Sequence, residues 1–181
     1  MNVDYIHIIE KFYGKEDSAL KRILLVHSRA VAQKALRIVD AHPEMALDRQ
    51  FVEEAAMLHD IGIIRCDAPG IECFGTEPYI RHGILGAAML RSEGLERHAR
   101  VCERHTGAGL SRQDIVSQNL PLPQQDYLPE TLEEQLICYA DKFFSKTRLE
   151  QEKTIDQAEH SLVKFGEEGL RRFRHWKQLF A

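Results

Sequence analysis

Cysteine is scarce and unpaired in this chain. Cys66, Cys73, Cys102 and Cys138 are scattered with no Cys-x-x-Cys pair, which argues against a zinc knuckle or a disulfide scaffold and predicts reduced, structural thiols. Long apolar runs are missing as well. No window reaches the roughly 18 to 20 apolar residues of a membrane span, and the first residues lack a basic region followed by an apolar stretch. A cytoplasmic location is the expectation. An excess of basic charge is also lacking: the net charge is -4, with acids and bases mixed along every segment. That leaves no basic stripe for duplex nucleic acid. There is no internal repeat, no low-complexity tract and no convincing strand alternation.

What remains is a helical pattern with a generous supply of histidine, nine in 181 residues. With 44% hydrophobic content, the length suits one domain over residues 1–181 with a full core. Apolar residues at spacings of three and four predict helices over residues 4–13 and 18–40, and from a cap at Asp48 to His59. Further helices are expected from His82 to a stop at Gly94, over 95–105, and from a capping box at Thr131 and Glu134 to Phe144. The tail, 154–180, reads as one or two helices packing on a core of about residues 18–150. Residues 65–78 and 106–130, rich in Gly and Pro, read as loops, the second with a short helix opened by Ser111.

Several polar residues fall on the apolar stripes of these helices. His27 sits three after Leu24 and four before Val31, and His105 sits three after Cys102. Asp141 lies four after Ile137; a carboxylate there needs a cation or a metal beside it. Met57-Leu58-His59-Asp60-Ile61-Gly62 sets a histidine beside an aspartate where a helix is ending, with Gly62 as the turn residue. His82 opens a helix. His98 projects near the face of His105 and ranks second as a ligand, since Glu96, Arg97 and Arg100 around it suggest solvent. Imidazole nitrogen and carboxylate oxygen suit borderline divalent metals. Six ligands are enough for two ions, with His27, His59, Asp60 and Asp141 on one, His82 and His105 on the other, and Asp60 bridging. Two ions roughly 3.5 to 4 Å apart would share a hydroxide made nucleophilic near neutral pH.

His27, His59-Asp60-Ile61-Gly62, His82-Gly83, His105-Thr106 and Tyr139-Ala140-Asp141-Lys142 resemble the signature of the HD-domain metal-dependent phosphohydrolases. The resemblance covers about Ile23 to Arg148 and implies an all-α, HD-domain helical bundle. His82 and His105 make it similar to the two-metal branch, and within it to the bacterial hydrolases that cut diadenosine tetraphosphate symmetrically and hold two irons. The 120–131 stretch also resembles a group of uncharacterised HD proteins. The implied activity is hydrolysis of a phosphoester or phosphoanhydride of a nucleotide or dinucleotide, with two divalent transition metals, iron first and Mn, Ni, Co or Zn as alternatives. Asp60, Arg81 and Lys142 are the catalytic candidates, the two cations for phosphate contact, with Arg65 and Arg148 behind them. The implied partner is a small phosphorylated molecule, and a homodimer is allowed. The chain departs from the dinucleotide hydrolases at 65–78 and 107–130. Three rival readings stay open: a single-metal nucleotidase, a domain that senses a phosphorylated ligand without turnover, and an oxygen-dependent di-iron oxygenase.

Overall fold

In the computed structural model, which describes residues 2–181, helices start where a side chain can take up a free amide. Asp4, Ser18 and Asp48 each accept from the first turn of α1 (Tyr5–Tyr13), α2 (Ala19–Ala41) and α3 (Arg49–Leu58), the bonding that fixes a helix N-terminus. After α3 the chain turns into a hairpin of two short antiparallel strands, β1 (Asp67–Ala68) and β2 (Cys73–Phe74). Then come α4 (His82–Ser92), α5 (Glu96–Glu103), α6 (Arg112–Ser117), α7 (Leu132–Asp141), α8 (Ile155–Leu162) and α9 (Glu167–Phe180). Reciprocal capping boxes open α6, α7 and α8, from Ser111 and Asp114, Thr131 and Glu134, and Thr154 and Gln157. The fold is all-α, as the periodicity predicts.

The hairpin is the departure from that prediction. Each strand has two residues, too short for alternation to register, and Glu72 reaches φ 63° to close the turn. Two helices also end earlier than the pattern suggests. α7 stops at Asp141 rather than Phe144, and α5 stops at Glu103, so His105 lies just beyond its helix. The tail resolves into α8 and α9, separated by a 3-10 turn and Gly166 at φ 99°.

The apolar interior forms two main clusters. One joins Val31 and Ala35 of α2, Val52 and Ala56 of α3, Leu136 and Ala140 of α7, and Phe173, Trp176 and Phe180 of α9. There Tyr139 lies 5.1 Å from Phe173 and 5.6 Å from Phe180, ring centre to ring centre, a range in which aromatic pairs add to plain burial. The other joins Ile9 of α1, Leu24 of α2, Leu58, Ile61, Leu90 of α4 and Cys102 of α5. Both clusters draw on α2, with Leu24 in one and Val31 in the other. His27 sits on the same face between them, so the polar residues collect at the seam of the two clusters.

Candidate metal centre

α3 ends at Leu58, and the chain leaves it through His59 (φ -60°, ψ -28°) and Asp60 (φ -106°, ψ 10°). Consecutive residues of a continuous helix point about 100° apart; the change in backbone at Asp60 lets these two side chains converge. Three imidazoles are oriented by one device. The Nδ1 atoms of His59, His82 and His105 lie 2.6 Å from the carbonyl oxygens of Ala56, Tyr79 and Cys102, each three residues back. A carbonyl only accepts, so Nδ1 carries the hydrogen and Nε2 presents a lone pair. His82 Nε2 and His105 Nε2 then face each other at 3.0 Å. Two lone pairs at that separation repel, and a cation next to both relieves the repulsion.

Asp60 stands between two such groups. Its Oδ2 lies 3.1 Å from His27 Nε2 and 3.2 Å from His59 Nε2, while Oδ1 lies 3.4 Å from His82 Nε2 and 3.2 Å from His105 Nε2. Asp141 Oδ1 completes the first group, 3.0 Å from His27 Nε2 and 3.2 Å from His59 Nε2. In each set, His27-His59-Asp60-Asp141 and Asp60-His82-His105, the donor atoms lie within 4.8 Å of one another. All six side chains are buried.

Burial works against the charge on both aspartates. The Lys146 ammonium and His59 beside Asp60, and the Lys142 ammonium with His27 and His59 beside Asp141, overcome it and hold both carboxyls well below the usual range. Burial opposes charge on His59 too, yet with no ion beside it Asp60 and Asp141 raise it to about 10, so an ion taking the Nε2 lone pair displaces a proton. His105 is pushed down by burial to about 4. Although Lys146 Nζ lies 2.7 Å from Asp60 Oδ2, neither Asp60 oxygen, nor His27 Nδ1, is aligned with a hydrogen-bond partner. A buried carboxylate left in that state is costly. The donor set of imidazole nitrogens and carboxylate oxygens is that of a divalent transition-metal site, and these unaligned oxygens fit such an ion.

The other cationic candidates separate. Lys142 Nζ donates to Asp141 Oδ2 at 2.6 Å and to the His105 carbonyl at 2.9 Å, tying the end of α7 to His105. It lines the adjoining cavity. Arg81 does not; it is half-exposed, with Nε 3.3 Å from Glu77. Arg65 and Arg148 are exposed and lie outside the cavity lining. Sequence reasoning missed Lys146. It lies in an irregular turn after α7, where helical period gives no direction, and its only signal is closeness in sequence to Asp141 and Lys142. Tyr79 was missed as well; its ring stacks on His82 with centres 4.5 Å apart. His98 does not reach solvent as expected. It is buried, its Nε2 2.8 Å from Glu54 and its ring edge-on to Phe51, away from the metal donors.

Gly62 needs a different explanation from the turn the sequence suggests. Its φ is not in the left-handed region, but a Cβ there would lie 2.1 Å from the His82 carbonyl oxygen and 2.5 Å from the Gly86 nitrogen. Only a residue without a side chain lets α4 come this close to the His59-Asp60 turn.

The four thiols support this framework and are chemically quiet. Cys102 Sγ donates to the His59 carbonyl at 3.0 Å and Cys138 Sγ to the His105 carbonyl at 3.5 Å. Burial pushes Cys66 and Cys73 up to about 11 and Cys138 to about 12. Because the thiolate is the reactive form, native protein at pH 8 is expected to show no rapid reaction with a disulfide reagent, and four thiols once unfolded. A fast-reacting thiol in the native state would contradict this burial.

Beside the donors opens a cavity of about 740 Å³, within the roughly 300 to 1,000 Å³ of small-molecule sites. His82, His105 and Asp141 reach its wall, with Lys142 and Lys146. Among the described residues no helix is long and apolar enough to cross a membrane.

Comparison with known proteins agrees with this arrangement. The chain is 35% identical over 128 residues to the tRNA (cytidine(56)-2'-O)-methyltransferase of Picrophilus torridus, covering 70% of this chain and 33% of that protein. With the protein of the same name from Thermoplasma volcanium it is 33% identical over 146 residues, 80% of this chain and 37% of that one. It thus spans about a third of the length of these two. An uncharacterised protein of Methanocaldococcus jannaschii is 34% identical over 160 residues, 84% of this chain and 87% of that one. No solved structure matches. The HD domain family matches residues 24–145, more than half of the chain. That span runs from α2 past the end of α7 and holds all six buried donors, so the chain belongs to the HD-domain superfamily of metal-dependent phosphohydrolases.

Proposed function

We propose that this protein is a phosphohydrolase that binds two divalent transition-metal ions and cleaves a phosphoester or phosphoanhydride of a nucleotide or dinucleotide. The observation that carries the reading is Asp60, whose two oxygens face two different pairs of imidazoles. Divalent ions held by the two donor sets would supply Lewis acidity and lower the pKa of water. Iron is the first choice for both, with Mn, Ni, Co or Zn as alternatives. The chain supplies the rest. Lys142 and Lys146 place ammonium groups at the cavity wall beside the donors, where they neutralise charge developing on a phosphoryl group. Tyr79 stacked on His82 shields the imidazole from bulk water. The names of two relatives concern tRNA, which favours a phosphate carried on a nucleotide. Arg81, paired with Glu77 outside the cavity, has no part in this reading.

The test is hydrolysis of dinucleoside polyphosphates, nucleoside monophosphates and cyclic dinucleotides, read as the nucleotide products formed, with metal content and oxygen uptake followed in parallel. Turnover of one class, stopped by chelation and restored by metal, is expected without oxygen consumption. Binding in every case with no turnover would replace the hydrolase by a ligand-sensing domain. Turnover that needs at most one ion per chain would leave a single-metal nucleotidase.

A further inference from the structure

The cavity wall carries one carboxylate, Asp141, against four ammonium groups, Lys142, Lys146, Lys153 and Lys164, in a chain whose net charge is -4. Two of the four are accounted for: Lys142 lies 2.6 Å from Asp141, and Lys146 lies 2.7 Å from Asp60. Among the described residues Lys153 and Lys164 have no carboxylate partner. Lys153 is half-buried in the segment before α8, and Lys164 sits in the 3-10 turn after it, near the ring of Phe165. Both lie beyond the HD family match at 24–145. Bonds to the main chain anchor the two segments that carry them: Lys153 N donates to the Phe143 carbonyl at 2.8 Å, and Gln118 Nε2 donates to the carbonyl of Phe165, next to the exposed Lys164, at 3.2 Å.

Cations without carboxylate partners that line one concave wall repel one another and favour an anion in the cavity they share. Burial, with the ammonium groups of Lys142, Lys164 and Lys146 added, pushes Lys153 below the usual lysine range despite the opposing pull of Asp141.

We propose that Lys153 and Lys164 form a second anion subsite, which holds a phosphate of the substrate other than the one cleaved beside Asp60 and Asp141. This rests on the hydrolase reading for the word substrate, and it narrows the class to molecules carrying at least two phosphate groups. A monophosphate would leave the Lys153 wall empty. A linear phosphate chain, as in a nucleoside di- or triphosphate or a dinucleoside polyphosphate, offers an anion to each.

The experiment is calorimetric binding of inorganic tripolyphosphate and of orthophosphate to the protein as purified, at equal metal content throughout. Tripolyphosphate is expected to bind the wild type more tightly, and the pair Lys153→Ala with Lys164→Ala to weaken it by about tenfold to a hundredfold, the usual scale for charge-assisted contacts. Orthophosphate binding should not change. Lys164→Ala alone, at an exposed position, gives a smaller loss in the same direction and keeps the test valid if the pair folds poorly. The control pair Lys15→Ala with Arg22→Ala removes two exposed charges that do not line the cavity. Equal losses in control and subsite pairs, or no loss in the subsite pair, overturn the subsite. Selective loss of tripolyphosphate without hydrolysis of any nucleotide would keep the subsite and remove the hydrolase. Hydrolysis with tripolyphosphate binding indifferent to Lys153 and Lys164 would do the reverse.

Discussion

Asp60→Asn is expected to reduce the metal bound by both donor sets and to lower the rate of hydrolysis at least about a hundredfold, the upper range of loss seen even for outer-shell partners of metal ligands. Asp60 is the one donor common to the two sets, so the effect on metal content should exceed that of His27→Ala or His82→Ala, each of which touches one set. Elemental analysis of the purified variants decides this. If Asp60→Asn retains two ions per chain, the bridging role fails. A stability effect accompanies the loss of metal. Without ions Asp60 is the carboxylate beside the buried Lys146 ammonium, and removing one partner of a buried pair costs about 3 to 5 kcal/mol. Adding Lys146→Met to Asp60→Asn should recover part of that cost in chemical denaturation, since the ammonium that Asp60 faced is then gone too. The sign with pH follows from the depressed carboxyl. In the metal-free protein the advantage of wild type over Asp60→Asn is full above the unfolded carboxylate value of about 4. It is lost as pH falls through the lower folded value.

Gly62→Ala is expected to be strongly damaging for a single added methyl group. The added carbon would meet backbone atoms, the His82 carbonyl oxygen at 2.1 Å and the Gly86 nitrogen at 2.5 Å, and neither can step aside as the end of a flexible side chain can. Overpacking costs about 1 to 3 kcal/mol where side chains can adjust; here α4 itself must move, so about 3 kcal/mol or more is expected. For a domain of this size that is a fall in Tm of about 6 to 12 °C. Moving α4 also carries His82 away from Asp60, so the variant should lose metal from the His82-His105 set before the other. Gly70→Ala is the control, because nothing lies within 4 Å of its Cβ position. Equal melting temperatures for the two variants would refute the close approach as the reason for Gly62.

What was legible in the sequence was what helical period and side-chain chemistry jointly determine. His27 and Asp141 lie on buried faces of α2 and α7, and a charged or polar residue on such a face announces itself. His59 and Asp60 were readable because an apolar run ends there. Period fails once the chain leaves the helix, which is why Lys146 was invisible although it comes 2.7 Å from Asp60. It misleads when neighbours are used as a guide, as with His98. The charged residues around it in α5 point to other sides of the helix, while His98 turns inward to a second misfit, the buried Glu54 of α3. The hairpin failed for a simpler reason: it is defined by backbone pairing, Asp67 opposite Phe74 and Ala68 opposite Cys73, continued by Gly75 N donating to the Cys66 carbonyl at 2.8 Å, and this leaves no trace in side-chain pattern.

Three imidazoles take their direction from a carbonyl one turn behind them on their own segment. Bearing and range are therefore controlled separately in this protein. Rotating a ring requires breaking a bond inside a single turn, whereas the gap between neighbouring rings changes whenever one segment slides against another. A cation of larger radius would thus be accommodated by translating α4 along its seam with the 59–62 turn, with the rings keeping their heading, and the bare edge of residue 62 sets how far that slide can go.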